Sequence, residues 1–274
     1  MRPRTIILSW VVYSVVVVAH MGWRGGMLLL SLVFFISLYG VVAIMNDLSD
    51  IETDRINERR DIPYANGALT ERQLRFIMMI LAGVTTAVAW IIHSHMVIWA
   101  GVYMLLGYMY SSGWWVLKNR GVWATILLGV CYGAVPWLMA ASVIGGEFSL
   151  LLLLLAMASC IFSMGIVVLK DFKDEKGDMA TGKKTLLVRY GVNVSRSYYR
   201  AVTSVSYGVL CVVGAVFLES PWGAVVIFCT GIVNYWLLHT PDITTHPTIR
   251  RVRGNTARGL FFIVALSLYV AALS

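Results

Sequence analysis

Asp47, Asp50 and Asp54 occupy positions i, i+3 and i+7 of one short stretch, and Asp171, Asp174 and Asp178 repeat that spacing 124 residues later. An α-helix completes a turn every 3.6 residues, so each trio falls on a single helical face. Three carboxylates so close together repel one another unless a hard, oxygen-seeking cation holds them. Mg²⁺ takes one or two carboxylates and fills its shell with water and phosphate oxygens. Six carboxylates therefore suit two or three ions shared with a diphosphate. Asn46 adds a neutral amide beside the first trio. Acids in loops are ordinarily just solvated. Here eleven of the fourteen acidic residues lie in the stretches 46–71 and 171–178 of a chain that is only 13% charged, which weakens that explanation.

The elements that must position these residues are apolar. The chain is 59% hydrophobic, with a mean hydropathy of +0.77, which excludes an ordinary water-soluble domain. Nine spans, at about 5–21, 26–45, 74–92, 95–112, 121–144, 149–169, 200–218, 222–239 and 258–273, approach the length of roughly 20 residues that crosses a bilayer as a helix. The expected fold is an all-α integral membrane protein with nine transmembrane helices. Twenty-one of the 22 lysines and arginines fall on one side of this arrangement, and only Arg24 falls on the other. That bias predicts a cytoplasmic N-terminus, both aspartate stretches cytoplasmic and the C-terminus outside. The net charge of +8 is then a topological signal, with some capacity for anionic lipids or substrates, and not a sign of nucleic-acid binding. Cys131, Cys160, Cys211 and Cys229 lie inside spans and read as buried apolar residues. His93 and His95 read as interfacial, and Tyr132 and Trp137 as packing residues near Gly133 and Pro136. The 46, 170 and 240 regions form the longest polar loops (46–73, 170–199 and 240–257). The placing of both acidic loops after a pair of spans suggests pseudo-repeat halves of about 1–112 and 121–239, plus a last helix at 258–273, closing around a shared cavity.

Asn46-Asp47-x-x-Asp50-x-x-x-Asp54 resembles the N-D-x-x-D-x-x-x-D motif of the UbiA superfamily of intramembrane prenyltransferases. Asp174-x-x-x-Asp178, followed by Gly182-x-Lys184-Thr185, resembles that superfamily's second aspartate motif and its tail. Tyr110-Ser111 with Leu117-Lys118 resembles its Y-S…L-K element. The resemblance implies one transmembrane prenyltransferase domain over 1–274, with helices around a central cavity. It implies Mg²⁺ held by Asp47, Asp50 and Asp54 on one side and by Asp174 and Asp178, joined by Asp171, on the other. It further implies that Asn46, Lys118, Lys184, Arg60 and Tyr110 bind substrate. Family members often carry Arg-Pro after the first motif, where this chain has Ile62-Pro63. The implied reaction moves an isoprenyl group from an allylic polyprenyl diphosphate to a hydrophobic aromatic or quinone-precursor acceptor among membrane lipids. The alternatives are a lipid, glycerol-phosphate or phosphosugar acceptor, cyclisation of the diphosphate alone, or, outside enzymes, a cation-binding transporter.

Overall fold

Hydrocarbon offers no partner to a backbone N–H or C=O, so an apolar run that crosses it satisfies its own hydrogen bonds as a helix. The computed structural model describes residues 3–59, 62–146, 148–219, 221–240 and 242–273, and every regular element among them is helical. Helix α1 covers Pro3–Met21, α2 Gly25–Ser49, α3 Ile51–Ile56, α4 Glu71–Ile92 and α5 Ser94–Ser111. After a single 3₁₀ turn at Leu117–Asn119, α6 (Val122–Gly129) and α7 (Val135–Val143) join through a π-turn at Val130–Ala134 into one rod. Helices α8 (Leu150–Ala180), α9 (Leu186–Phe217), α10 (Pro221–His239), α11 (Asp242–Thr245) and α12 (Pro247–Ala271) complete the chain.

Each of the nine expected spans coincides with one of these rods. Eight are long and apolar enough on their own to cross a bilayer. The other is α5, whose three tyrosines and His95 lower its hydropathy over its 18 residues. The stretches expected as polar loops at 170–199 and 240–257 are largely helical instead, because α8 runs on to Ala180, α9 starts at Leu186 and α12 starts at Pro247. Apolarity marks only the lipid-immersed part of a helix, and the polar turns beyond it keep their own hydrogen bonds. Helix α9 is broken once, at Gly191.

Helix α8 runs through the middle, packed on α9, α6, α7, α12 and the short α3, while α2 packs on α1, α4 and α5. Helix α1 also meets α7 and α12. Polar side chains inside the rods pair across helices, as an apolar medium demands. Thr85 Oγ1 donates to Ser37 Oγ at 2.9 Å, Trp137 Nε1 to Ser159 Oγ at 3.0 Å and Asn234 Nδ2 to Ala257 O at 2.7 Å. Trp137 is fully buried, and Phe162 stacks on Phe261 at 4.1 Å.

Candidate active site

Both aspartate motifs reach one cavity, on different backbones. Helix α2 ends at Ser49, whose Oγ donates to Asn46 O at 2.8 Å, and Asp50 leaves helical geometry (φ −114°, ψ 10°) before α3 resumes. The unbroken face expected for Asp47, Asp50 and Asp54 is therefore split at its middle member. Lys118 Nζ donates to the freed Ser49 carbonyl at 3.3 Å and to Ser49 Oγ at 2.7 Å. A cation there meets the negative end of the α2 dipole. Lys118 sits on the 3₁₀ turn that follows Val116, a residue in the left-handed region at φ 33°. A β-branched side chain rarely adopts that conformation, so the turn that aims Lys118 stores strain.

The second motif lies on unbroken α8. The helix closes with two bonds, Gly182 N to Met179 O at 3.2 Å and Lys183 N to Asp178 O at 2.8 Å, with Gly182 at φ 69°. This is the Schellman arrangement, in which a glycine after the last turn takes the left-handed conformation. It folds Lys183 back over the helix end, where its ammonium lies 3.6 Å from Asp178 Oδ1.

Helices α3 and α8 are clamped together. Asn57 Nδ2 donates to Asp174 O at 3.2 Å, its Oδ1 accepts from Gly177 N at 2.8 Å, and the hydroxyls of Thr53 and Thr181 lie 3.0 Å apart. A Cβ on Gly177 would stand 2.5 Å from Asn57 Nδ2 and 2.6 Å from Thr53 O, so the approach requires glycine at that position.

Two cations each join one carboxylate from each motif. Lys183 Nζ is 2.7 Å from Asp50 Oδ1 as well as near Asp178, and Arg59 Nη1 is 3.9 Å from Asp54 Oδ1 and 3.7 Å from Asp174 Oδ1. Lys118 Nζ is 2.8 Å from the same Asp50 oxygen, Asn46 Nδ2 donates to Asp50 Oδ2 at 3.0 Å, and Lys170 Nζ lies 3.6 Å from Asp174 Oδ2. Burial on its own raises the Asp50 carboxyl, but the ammonium groups of Lys183 and Lys118 outweigh it and hold the acid at about 2. For Asp54 burial, reinforced by the charge of Asp50, pushes the carboxyl up to about 6 against the pull of Arg59. Burial also lowers Lys118, which Asp50 opposes.

The cavity holds about 240 Å³ and has two ends of different chemistry. At the polar end stand Asn46, Asp47, Asp50, Asp54, Asp174 and Asp178, and the cavity is also lined by Tyr110 near the end of α5; at the other stand Tyr39, Tyr103 and Tyr132. The Tyr39 ring lies 5.1 Å from Tyr103 and is stacked on Tyr132 at 6.1 Å. Among the expected site residues, Asp171 is half-buried on α8 and Lys118 is buried behind Asp50, so neither lines this cavity, and Lys184 is exposed beside Lys183. Arg60 falls outside the described residues. Ile62, in place of the family's usual arginine, lines the cavity as a buried apolar residue, and Arg59 supplies the charge between the motifs. Sequence reasoning missed Arg59, Lys170, Lys183, Tyr39 and Tyr103 as cavity residues, and Tyr132, expected to be a packing residue, lines the cavity as well. Only Lys183 had an available signal, as the residue that a Gly182 helix stop turns back onto Asp178.

The donor set fits Mg²⁺. Five carboxylates offer hard oxygens, and buried Asp174 Oδ1 accepts no hydrogen bond. Among the described residues no three acidic, histidine or cysteine side chains converge closely enough to hold an ion unaided. That matches an ion which shares its shell with water and phosphate oxygens.

Residues 7–271 match the model of the UbiA prenyltransferase family. The digeranylgeranylglyceryl phosphate synthase of Thermococcus kodakarensis is 30% identical over 195 residues, 69% of this chain and 67% of that protein. The chloroplastic chlorophyll synthase of Oryza sativa is 30% identical over 167 residues, 58% of this chain and 44% of that protein. The bacteriochlorophyll synthase 33 kDa chain of Cereibacter sphaeroides is 29% identical, over 57% of this chain and 52% of its own length. The chain thus spans about half the length of these last two relatives. A UbiA homologue from Archaeoglobus fulgidus, solved with DMAPP and Mg²⁺, superposes with a TM-score of 0.71 at 15% identity, covering 97% of this chain and 96% of that one.

Proposed function

The chain belongs to the UbiA prenyltransferase family and is an integral, multi-pass membrane protein, and from that premise we propose that it moves an isoprenyl group from an allylic diphosphate to a hydrophobic acceptor within the bilayer. The observation that carries this reading is the pairing of a carboxylate end with an aromatic end in one cavity. Asp47, Asp50 and Asp54 of the first motif and Asp174 and Asp178 of the second would hold Mg²⁺. Bound there, Mg²⁺ supplies Lewis-acid neutralisation of the diphosphate.

The C1–O bond of the prenyl diphosphate breaks with its electron pair on the leaving diphosphate, and a nucleophilic atom of the acceptor bonds to C1 and gives up its proton. While Lys118 supports the site through Asp50, Lys183 and Arg59 line the cavity and face the charge that develops on the leaving group. Without substrate they rest against Asp50, Asp54 and Asp174; diphosphate oxygens take over these cations. The faces of Tyr39, Tyr103 and Tyr132 stabilise the allylic cation and shield it from water. The surplus of lysine and arginine on the motif-bearing side supports a cytoplasmic position for both motifs and the N-terminus.

The test is diphosphate release by the purified protein from geranylgeranyl diphosphate, with Mg²⁺ and a panel of acceptors. Release that requires Mg²⁺ and an acceptor supports transfer. Equal release without any acceptor, with a cyclic hydrocarbon as product, replaces it with cyclisation.

A further inference from the structure

A groove of about 330 Å³ lies between α9 and α10 and shares no lining residue with the carboxylate cavity. Gly208 and Phe228 along it are exposed, so it opens on the hydrocarbon around the rods. Its floor is polar. Asn234 and Tyr207 stand there, only 1% and 6% exposed. Asn234 Nδ2 donates to Ala257 O at 2.7 Å, and because a carbonyl can only accept, that bond fixes the orientation of the amide. Its other hydrogen goes to the Tyr207 oxygen at 3.0 Å. The phenol therefore accepts at this contact and keeps its own proton to give, while the amide keeps Oδ1 to accept.

Among the described residues, none accepts the Tyr207 proton and none donates to Asn234 Oδ1. Hydrocarbon supplies no partner either, and a hydroxyl within a membrane helix ordinarily returns to a carbonyl of its own helix. Thr203, one turn before Tyr207, does so to Tyr199 O at 2.7 Å, and Thr230 of α10 does so to Val226 O at 2.9 Å. The hydroxyls of Tyr13 and Ser195 lack partners too, but they are sealed inside the bundle. The donor and acceptor on the groove floor are open to a molecule that enters from the bilayer.

We propose that this groove binds a neutral, ring-bodied lipid alcohol by its hydroxyl. A hydroxyl oxygen accepts from Tyr207 while its proton goes to Asn234 Oδ1, which completes both residues at once. An ether or ketone has no proton for the amide, and a charged head would meet no counter-charge, since no ionic side chain lines the groove. The walls select the body of the ligand. A Cβ on Gly208 would meet nothing within 4 Å, so glycine leaves a flat recess there. A Cβ on Gly231 would stand 3.2 Å from the Tyr207 ring, so glycine lets α10 close on the tyrosine. A rigid ring system settles into such a recess without the loss of freedom that a flexible chain incurs. The site is independent of the transfer chemistry.

The full-length protein in uncharged detergent is titrated with radiolabelled cholestanol, with cholestanyl methyl ether and hexadecanol as competitors. The same titrations are run on Tyr207→Phe, which removes only the hydroxyl, and on Gly208→Leu, which fills the recess from an exposed and uncrowded position. Saturable binding by the wild type, about tenfold weaker in Tyr207→Phe and lost in Gly208→Leu, is the expected result. Both competitors should act at least about tenfold less well than unlabelled cholestanol. No saturable binding by the wild type, unchanged affinity in Tyr207→Phe, or equal competition by the methyl ether overturns the proposal. Equal competition by hexadecanol, or binding kept in Gly208→Leu, overturns it as well. Melting at the wild-type temperature verifies that each variant is folded, and Tyr207→Phe with the two competitors decides the matter if Gly208→Leu melts early.

Discussion

The first aspartate motif stands on a helix broken at its central residue, and the second on a helix that continues unbroken for 31 residues. Their spacing in the sequence is the same, yet it serves different purposes. On α8 it keeps Asp174 and Asp178 on a rigid face. At the α2–α3 junction the break leaves Asp50 between Lys118 and Lys183, and it hangs Asp54 on a six-residue helix that is held to α8 by Asn57 and Thr53. The spacing therefore records which residues must meet at the cavity, and the backbone that brings them there is decided by contacts elsewhere. One motif is a fixed wall and the other is fastened against it.

If both walls act as one site, neutralising either has the largest effect. Asp50→Asn and Asp174→Asn should each lower prenyl transfer by on the order of 10³-fold, measured as diphosphate release at saturating Mg²⁺. A tenfold difference between the two variants would break the symmetry of the account. Next in size is the cation that spans both motifs. Lys183→Met is expected to cost about 10²-fold in turnover, whereas Lys184→Met, one residue away and exposed, stays within about twofold of the wild type. An equal loss in both would return the role to the family-tail position. A smaller effect comes from the clamp. Gly177→Ala changes no charged group but forces α3 and α8 apart, and about a tenfold fall in kcat with the helical circular-dichroism signal unchanged is expected.

The smallest effect is one of stability. Burial pushes the Asp54 pKa up from 3.8 to about 6 in the metal-free protein, so its ionisation disfavours the folded state. That cost is fully present above pH 6 and fades as the pH falls from 6 towards 3.8. Asp54→Asn should therefore raise the metal-free Tm by about a few degrees at pH 8 and by progressively less as the pH falls below 6. A gain of the same size at pH 4 would show that the carboxylate's charge is not the cause.

The apolar spans and both motifs were legible in the sequence because lipid imposes length and polarity on each helix separately. The carboxylates could be read from charge alone, since so few acids occur elsewhere. The break at Asp50 was not legible: neither glycine nor proline marks it, and the lysine that caps the freed carbonyl comes from position 118. The tyrosine end depends on how α2, α5 and the π-turn pack, and Arg59 on how the segment after α3 lies against α8, which no local pattern records. Lys183 was legible in principle, through Gly182. The family tail directed attention to Lys184 instead, and the helix stop rather than the motif decides which lysine turns inward. Ile62 was legible as a departure, but its consequence, a buried apolar wall with Arg59 carrying the charge, emerges only from the folded loop.

The central claim is that two motifs, 124 residues apart in the chain, form one metal–diphosphate site. Isothermal titration of inorganic diphosphate into the detergent-solubilised protein tests it most directly, with and without Mg²⁺, for the wild type, Asp50→Asn and Asp174→Asn. The account predicts binding by the wild type that requires Mg²⁺ and is lost in either variant. Mg²⁺-dependent binding at wild-type affinity in either single variant would contradict it.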